Sequence, residues 1–422
     1  MKEKRERQPD QERIKGLQEA LEKNGLDLLV LRLPENVTAF GGYYPLTGLN
    51  FLLFPREDEP VLLVPESEKS EAEEGWWNNL ITFEFGTITA TAPYRRIEEI
   101  LKEITFRKGK QWKRIGYEGS FEFLAPALLS GEGFYPARPT HKILQKTFEN
   151  GELVDCTDLL HNLRAIKTKE EIVKLRTAGK IAEIGLAKFK EVAAPGRSPA
   201  EIAGLVTSAI MKEGIGIGGA QKVGVFPQVT SGPEDTAKAW RPCVITTNRV
   251  IQEGDLVLIE LGVVADGFWA DVTRTRVAGK ASARQKEVFR VILEAQQAAK
   301  DKIHPGVACS EVDGAARTII EKAGLGEYFV HITGHGIGFR YHEPIPFLHP
   351  ANTDILKAGM VFSVEPGVYL PGFGGIRIED VVALTEKGIL TLTNFERDLD
   401  VGVGFIRPAG LINQAPTIVD VN

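Results

Sequence analysis

ELGVVADGFWAD, residues 260 to 271, decides how this chain is read. It has the pattern of a tight β-hairpin, with apolar runs on either side of Asp266-Gly267, a dipeptide favoured at two-residue hairpin turns. Yet its ends are carboxylates, Glu260 and Asp271, inside strands that otherwise read as buried. Strand side chains alternate faces. Leu256, Leu258 and Glu260 therefore share a face of the first strand, and Asp271, Thr273 and Thr275 share a face of the second. A turn at Ala265-Asp266 pairs Glu260 directly with Asp271. A turn at Asp266-Gly267 sets Glu260 opposite Thr273, with Asp271 on the diagonal. Either register gathers both carboxylates on one face. Two buried like charges repel and lose their hydration unless a cation lies between them. Arg274 and Arg276 are nearby cations, but alternation turns them to the face opposite Asp271.

Three further stretches raise the same question. In ITGHGIGFRYHEP, His335 is flanked by glycines, which let backbone approach closely. His331 and His342 lie four residues before it and seven after it. MVFSVEPGVY places Glu365 at a strand end, halted by Pro366. GGIRIEDVVAL puts Arg377 and Glu379 on one face and Ile376 and Ile378 on the other. A single acid in an apolar strand is most often an edge residue facing water. Four such segments together with an imidazole point instead to one shared site. Carboxylates with imidazole suit a borderline divalent ion such as Mn, Co, Fe or Zn.

The rest of the chain sets the frame. Its 422 residues exceed one ordinary core, so two domains are expected. Apolar residues make up 43% and charged residues 26%, the balance of a soluble globular protein. A net charge of -6 gives no electrostatic reason to expect nucleic acid. No run approaches the ~18 apolar residues that span a bilayer, and no signal-peptide pattern opens the chain. Cys156, Cys243 and Cys309 are odd in number and widely spaced, which argues against a disulfide framework and fits a reducing cytoplasm.

Residues 1–163 alternate short strands with helices and read as a compact α/β domain. A helix is expected over residues 10 to 24, strands at LDLLVLRL, EPVLLVPE and RIGYE, and helices at RRIEEILKEI and at FEFLAPALLSG, which closes on Gly131. PENVTAFGGYYP, residues 34 to 45, reads as a loop-rich stretch with exposed aromatics. Residues 164–422 gather strands around a few long helices, an α+β pattern. Helix starts are expected at Thr168 with Glu171, Ser198 with Glu201 after Pro199 at the first turn, Ser282 with Gln285, and Ser310 with Asp313.

The motifs ELG…ADVTRT, HITGHGIG…HEP, FSVEPGVY and GIRIEDVV together resemble the M24-type metallopeptidases of the pita-bread fold. That group includes Xaa-Pro aminopeptidases, prolidases, methionine aminopeptidases and creatinase. The likeness covers roughly residues 165 to 400, and the front half resembles the creatinase/prolidase N-terminal domain more weakly. The resemblance implies two divalent ions sharing a hydroxide, held by Glu260, Asp271, His335, Glu365 and Glu379. Asp271 and Glu379 would bridge the ions. Glu365 would shuttle the proton, His331 and His342 would line the substrate site, and Arg377 would orient ligands. It also implies a peptide or small-molecule substrate and a homodimer.

Two departures stand out. The family carries Asp where this chain has Glu260. It also carries a substrate-site histidine after an SGPN-like turn, whereas SGPEDTAKAWRP has Ala239 or Trp240 in that slot, and no histidine occurs between His161 and His304. Trp240, with Arg241 beside it, then reads either as a changed substrate contact or as a loop anchor. Tyr43 and Tyr44 could touch a neighbouring subunit's substrate or pack locally. The function expected is an Xaa-Pro aminopeptidase or dipeptidase. The alternatives are a creatinase-like hydrolase or lyase acting on a small zwitterion or amide, and a binding module without catalysis.

Overall fold

The computed structural model describes residues 8–85, 93–108, 112–119, 138–241 and 246–400. The chain divides into two compact units, Met1–Arg164 and Ala165–Asn422.

The first unit is built on six strands: β1 (Leu28–Leu31), β2 (Phe51–Pro55), β3 (Val61–Pro65), β4 (Leu80–Phe83), β5 (Arg114–Tyr117) and β6 (Glu152–Asp155). They form one mixed sheet in the order β4-β3-β2-β1-β5-β6. Every side chain of β1, β2 and β3 is buried, as in a sheet covered on both faces. Leu28, Val30, Leu53 and Leu63 pack with Ile97, Ile100, Leu101 and Ile104 of helix Pro93–Lys108 and with Ile143, Leu144 and Phe148. FEFLAPALLSG lies outside the described residues, as does Cys243.

One expectation fails in this unit. PENVTAFGGYYP is not loop-rich: Pro34–Gly41 is a helix that ends on Gly42 at φ 66. Nor are its aromatics exposed, since Phe40 and Tyr43 are buried and the Tyr43 hydroxyl bonds to Glu68. The reason is a tertiary anchor supplied from far along the chain. Pro34 suits a first helical position, and the buried Glu118 carboxylate accepts from the N–H groups of Arg32 and Leu33 and from the Asn36 amide.

The described residues of the second unit form three sheets. Strands β7 (Val223–Ser231), β8 (Leu256–Ala265) and β9 (Phe268–Val277) form an antiparallel sheet. A five-stranded sheet joins β10 (Gly334–Gly336), β11 (Glu343–Leu348), β12 (Val361–Val364), β15 (Asp380–Thr385) and β16 (Gly388–Thr391) in the order β11-β10-β12-β15-β16. Strands β13 (Gly367–Leu370) and β14 (Gly374–Arg377) make a separate hairpin.

Each larger sheet is backed by a helix pair. Val257, Ile259, Leu261 and Val263, alternate residues of β8, pack on Ile181, Leu186 and Phe189 of helix Lys169–Val192 and on Ile202, Val206 and Ile210 of helix Pro199–Glu213. Phe362, Val364, Val382 and Leu384 pack on helices Ala283–Lys302 and Cys309–Lys322. The other alternate set of β8, Leu258 and Glu260 among it, is thereby turned away from its helices.

The helix starts follow their local chemistry. Thr168 with Glu171 and Ser282 with Gln285 form reciprocal capping boxes. Ser198 accepts from the Glu201 N–H, but the Glu201 side chain turns to Arg197 instead of closing the box. The start expected at Ser310 is two residues late: Ala308 is the cap and the helix begins at Cys309, because Glu311 reaches back to the Ala308 N–H. Asp313 is freed for another task, accepting from Arg317 and Thr333.

Glu118 supplies a test. Burial pushes its carboxyl up to about 7, against the pull of the Asn36 and backbone hydrogen bonds. A carboxyl raised on folding binds its proton more tightly in the native state, so stability falls as pH rises from the unfolded value near 4.5 through about 7. The whole effect is up to about 3 kcal/mol. Denaturation measured across this window should show that decline in the native chain, and Glu118→Gln should flatten it.

Candidate metal centre

The hairpin turns at Asp266-Gly267. Both residues have positive φ, 49 and 89, as a two-residue type I′ turn requires. The Asp266 carboxylate also accepts from the backbone N–H groups of Gln221 and Lys222. Glu260 therefore stands opposite Thr273, and Asp271 opposite Gly262. The missing side chain at 262 makes room: a Cβ there would come within 2.8 Å of the Tyr341 ring.

His335 arrives on β10 with glycine on each side, because the strand is packed too closely for any Cβ. At 334 a Cβ would fall 1.9 Å from the Ser363 carbonyl oxygen, and at 336 one would fall 2.3 Å from that of Ile345. Ser363 Oγ accepts from the His335 N–H at 3.0 Å. The ring Nδ1 lies 2.9 Å from the Gly336 carbonyl oxygen, which places the ring proton on Nδ1 and leaves Nε2 as the donor atom. Nε2 lies 3.6 Å from Asp271 Oδ2 and 3.5 Å from Glu365 Oε1.

Glu379 follows the end of β14 and is only 1% exposed. Its N–H donates to the Thr273 carbonyl, and its own carbonyl accepts from Arg274, so the residue is locked to β9. Thr273 Oγ1 donates to Oε2 at 2.7 Å. Oε1 has no hydrogen-bond partner among the described residues. A buried carboxylate oxygen without a donor is costly.

The donor atoms of His335, Glu365 and Glu379 lie within 4.8 Å of one another, and those of Asp271, His335 and His342 form a second group by the same measure. Metal–ligand bonds of about 2.0–2.2 Å put neighbouring donors at such separations. The residues thus fit a divalent ion, with Glu379 Oε1 as the oxygen that lacks any other cation. The electrostatics agree. Burial pulls the His335 pKa down, yet Asp271 and Glu365 outweigh it and hold it up at about 9. Burial raises Glu365 to about 7, although His335 and Arg377 oppose it. Burial raises Glu379 well above the carboxylate range, with Asp271 and Glu365 adding to it.

Glu260 is placed differently. It belongs to neither donor group. Its Oε2 is ion-paired with Arg377, and its Oε1 accepts from Tyr341 and from Gln228 Nε2, each at 3.1 Å. Arg377, only 4% exposed, also donates to Thr273 Oγ1, the Ala239 carbonyl and the Tyr369 hydroxyl. Tyr369 in turn meets His331 Nε2 at 2.9 Å, while His331 Nδ1 meets the Ile332 carbonyl at 2.7 Å. Both nitrogens of His331 are thereby engaged, and burial with the Arg377 charge lowers its pKa to about 3. His342 lies against His335, with ring centroids 4.1 Å apart. Arg274 and Arg276 turn away from Asp271, as alternation requires; Arg274 pairs with buried Asp380.

Ala239 is buried beside Leu258 and Tyr369, and Trp240 is 40% exposed with the Arg241 guanidinium over its ring. Sequence reading overlooked Tyr341, Gln228 and Tyr369. Gln228 carried a signal, as a polar residue within the apolar strand KVGVFPQVT that pairs opposite Glu260.

The family model described as Metallopeptidase family M24 matches residues 173–386, and the Creatinase/Prolidase N-terminal domain matches residues 13–166. An Xaa-Pro dipeptidase of Pyrococcus furiosus is 33% identical over 388 residues, covering 92% of this chain and 99% of that protein. A putative dipeptidase of Bacillus subtilis is 31% identical over 389 residues, with the same coverage. Among solved structures, the prolidase from Pyrococcus horikoshii superposes with a TM-score of 0.74 at 30% identity, covering 92% of this chain and 99% of that one. The Xaa-Pro dipeptidase from Bacillus anthracis superposes with the same score and coverage at 26% identity.

Arg377 bears the test of the electrostatics. In metal-free protein, Arg377→Met leaves Glu260 buried and uncompensated, which should cost about 3–5 kcal/mol. Adding Glu260→Leu should restore most of that loss. Equal loss in the single and double variants, read by chemical denaturation, would show that the pair is not coupled.

Proposed function

The chain belongs to metallopeptidase family M24, and we propose that within it this protein is an Xaa-Pro dipeptidase, a hydrolase that splits the bond before a proline. The observation that carries the metal-dependent chemistry is the convergence of donor atoms of His335, Glu365 and Glu379, with Glu379 Oε1 unpartnered among the described residues. Support for the substrate class comes from the full-length similarity to proteins named Xaa-Pro dipeptidase, Pyrococcus furiosus among them.

In this reading His335, Glu365 and Glu379 hold the divalent ion, with Asp271 Oδ2 completing the set. Such an ion polarises a scissile carbonyl and makes water nucleophilic near neutral pH. Glu365 holds and returns the proton at Oε2, since its Oε1 accepts from Ser363. Neutral His342, its pKa lowered by burial and by His335, bonds the substrate carbonyl from beside the ion. His331 acts through Tyr369: it orients that hydroxyl, which fixes Arg377. Mn and Co are the metals to test first. Residues 1–163 and 164–422 serve as N-terminal and catalytic domains, and the protein works as a cytoplasmic homodimer.

No helix among the described residues is long and apolar enough to cross a membrane. The small-zwitterion alternative gains no support from relatives named as dipeptidases and prolidases.

The test is a panel of Xaa-Pro dipeptides and longer Xaa-Pro peptides given to Mn- or Co-loaded protein. Free proline should be released from the dipeptides. Chelation should abolish turnover and metal should restore it. Glu365→Gln should lower kcat by about 10²–10⁴-fold, and His342→Ala by about 10²–10³-fold. No proline release across the panel from metal-loaded protein would overturn the assignment.

A further inference from the structure

We infer that this centre binds one divalent ion tightly rather than two, because Tyr341, Gln228 and Arg377 hold Glu260 out of coordination. The inference rests on the reading that these side chains hold metal, and it goes beyond it by assigning the half of the centre that is closed.

The carboxylate oxygens divide into two sets. On the Glu260 side every oxygen already has a protein donor. Glu260 Oε2 has Arg377, and its Oε1 has Gln228, with the Tyr341 hydroxyl also 3.1 Å away. Asp271 Oδ1 has the Tyr341 hydroxyl at 3.0 Å, and Glu379 Oε2 has Thr273. A second ion there would have to displace an arginine, a phenol, an amide and a hydroxyl from buried positions. On the other side Glu379 Oε1 has no hydrogen-bond partner among the described residues, Asp271 Oδ2 faces His335 Nε2 at 3.6 Å, and Glu365 Oε1 faces it at 3.5 Å with only the Ser363 hydroxyl as a donor.

The imidazole makes a second, independent argument. The two donor groups, Asp271–His335–His342 and His335–Glu365–Glu379, both require His335. Its Nδ1 is committed to the Gly336 carbonyl, so both groups need the same Nε2 lone pair. One ring nitrogen serves one ion. The groups are therefore alternative sets around a single position, not two sites.

Tyr341 is built into this arrangement. Its ring is held against Trp269 at 5.3 Å and Phe226 at 6.2 Å between centroids. Gly262 leaves the space it fills. Its hydroxyl spans Glu260 and Asp271, where a bridging ion would otherwise have to draw the two together. The longer arm of glutamate at 260 is what reaches Arg377, Tyr341 and Gln228 at once.

The experiment is metal stoichiometry. Full-length protein is loaded with Mn²⁺, desalted, and counted by elemental analysis and isothermal titration, with electron paramagnetic resonance on the same samples. The native chain should retain about one ion per chain with the spectrum of an isolated ion, and Glu379→Gln should lose it. Glu260→Asp combined with Tyr341→Phe should take up about two, with the spectrum of an exchange-coupled pair. About two ions in the native chain, or only about one in the folded double variant, would overturn the inference. Proline release from an Xaa-Pro dipeptide is followed in parallel. Hydrolysis with about two ions overturns this inference and leaves the peptidase reading standing. One ion without hydrolysis does the reverse.

Discussion

The second unit is organised around a single electrostatic constraint: four carboxylates within interaction range of one another, Asp271 and Glu379 buried and Glu260 and Glu365 largely so. Unpaired, such charges could not remain ionised in a folded interior. The chain meets the constraint in two ways. Arg377 neutralises one side and is itself held by Thr273, Ala239 and Tyr369. The other side is the one proposed here for a divalent ion, where Glu379 Oε1 has no hydrogen-bond partner among the described residues. Much of the surrounding structure serves these two solutions. The helix pairs take one face of each sheet, so the acids lie on faces the helices do not cover.

A second buried network holds the scaffold behind the site. Asp380, next to Glu379, accepts from Arg274, Lys300 and Arg397, with Gln296 as a further donor. These cations outweigh the cost of its burial and bring its pKa down to about 2. Arg274 also bonds the Glu379 carbonyl. Alternation thus gives neighbouring residues opposite roles. Glu379 faces the proposed ion position with one carboxyl oxygen unpartnered, while Asp380 faces the core with its charge fully met. Moving either residue by one position in register would exchange these environments.

Legibility from sequence followed the range of the interaction. The hairpin register was readable because Asp266-Gly267 is a local turn signal, and the shared face of Asp271, Thr273 and Thr275 followed from alternation alone. The acids on β9 and after β14 were readable for the same reason. The helix at Pro34 was not, because its anchor, Glu118, lies far along the chain. Tyr341 was not, because it follows a register shift between His335 and Gly336 and lies in an irregular segment before β11. Period-2 reasoning has no purchase there. The partner of Glu260 was missed for a related reason: Arg377 was placed on the face of Glu379 correctly, but only tertiary packing of β14 against β8 and β9 decides which carboxylate it reaches.

The change of one methylene at position 260 gains its meaning from this packing. An aspartate on β8 would hold its carboxylate closer to the strand. Glutamate extends it by roughly a bond length, far enough to meet Arg377, Tyr341 and Gln228 together. An acid paired with a guanidinium and bonded by an amide, with a phenol beside it, has little reason to exchange them for an ion that must also shed its water. Glu379 Oε1, with no bond to give up, has every reason to do so. The contrast between these two glutamates, equal in chemistry and opposite in partners, sets where in this centre a cation is held.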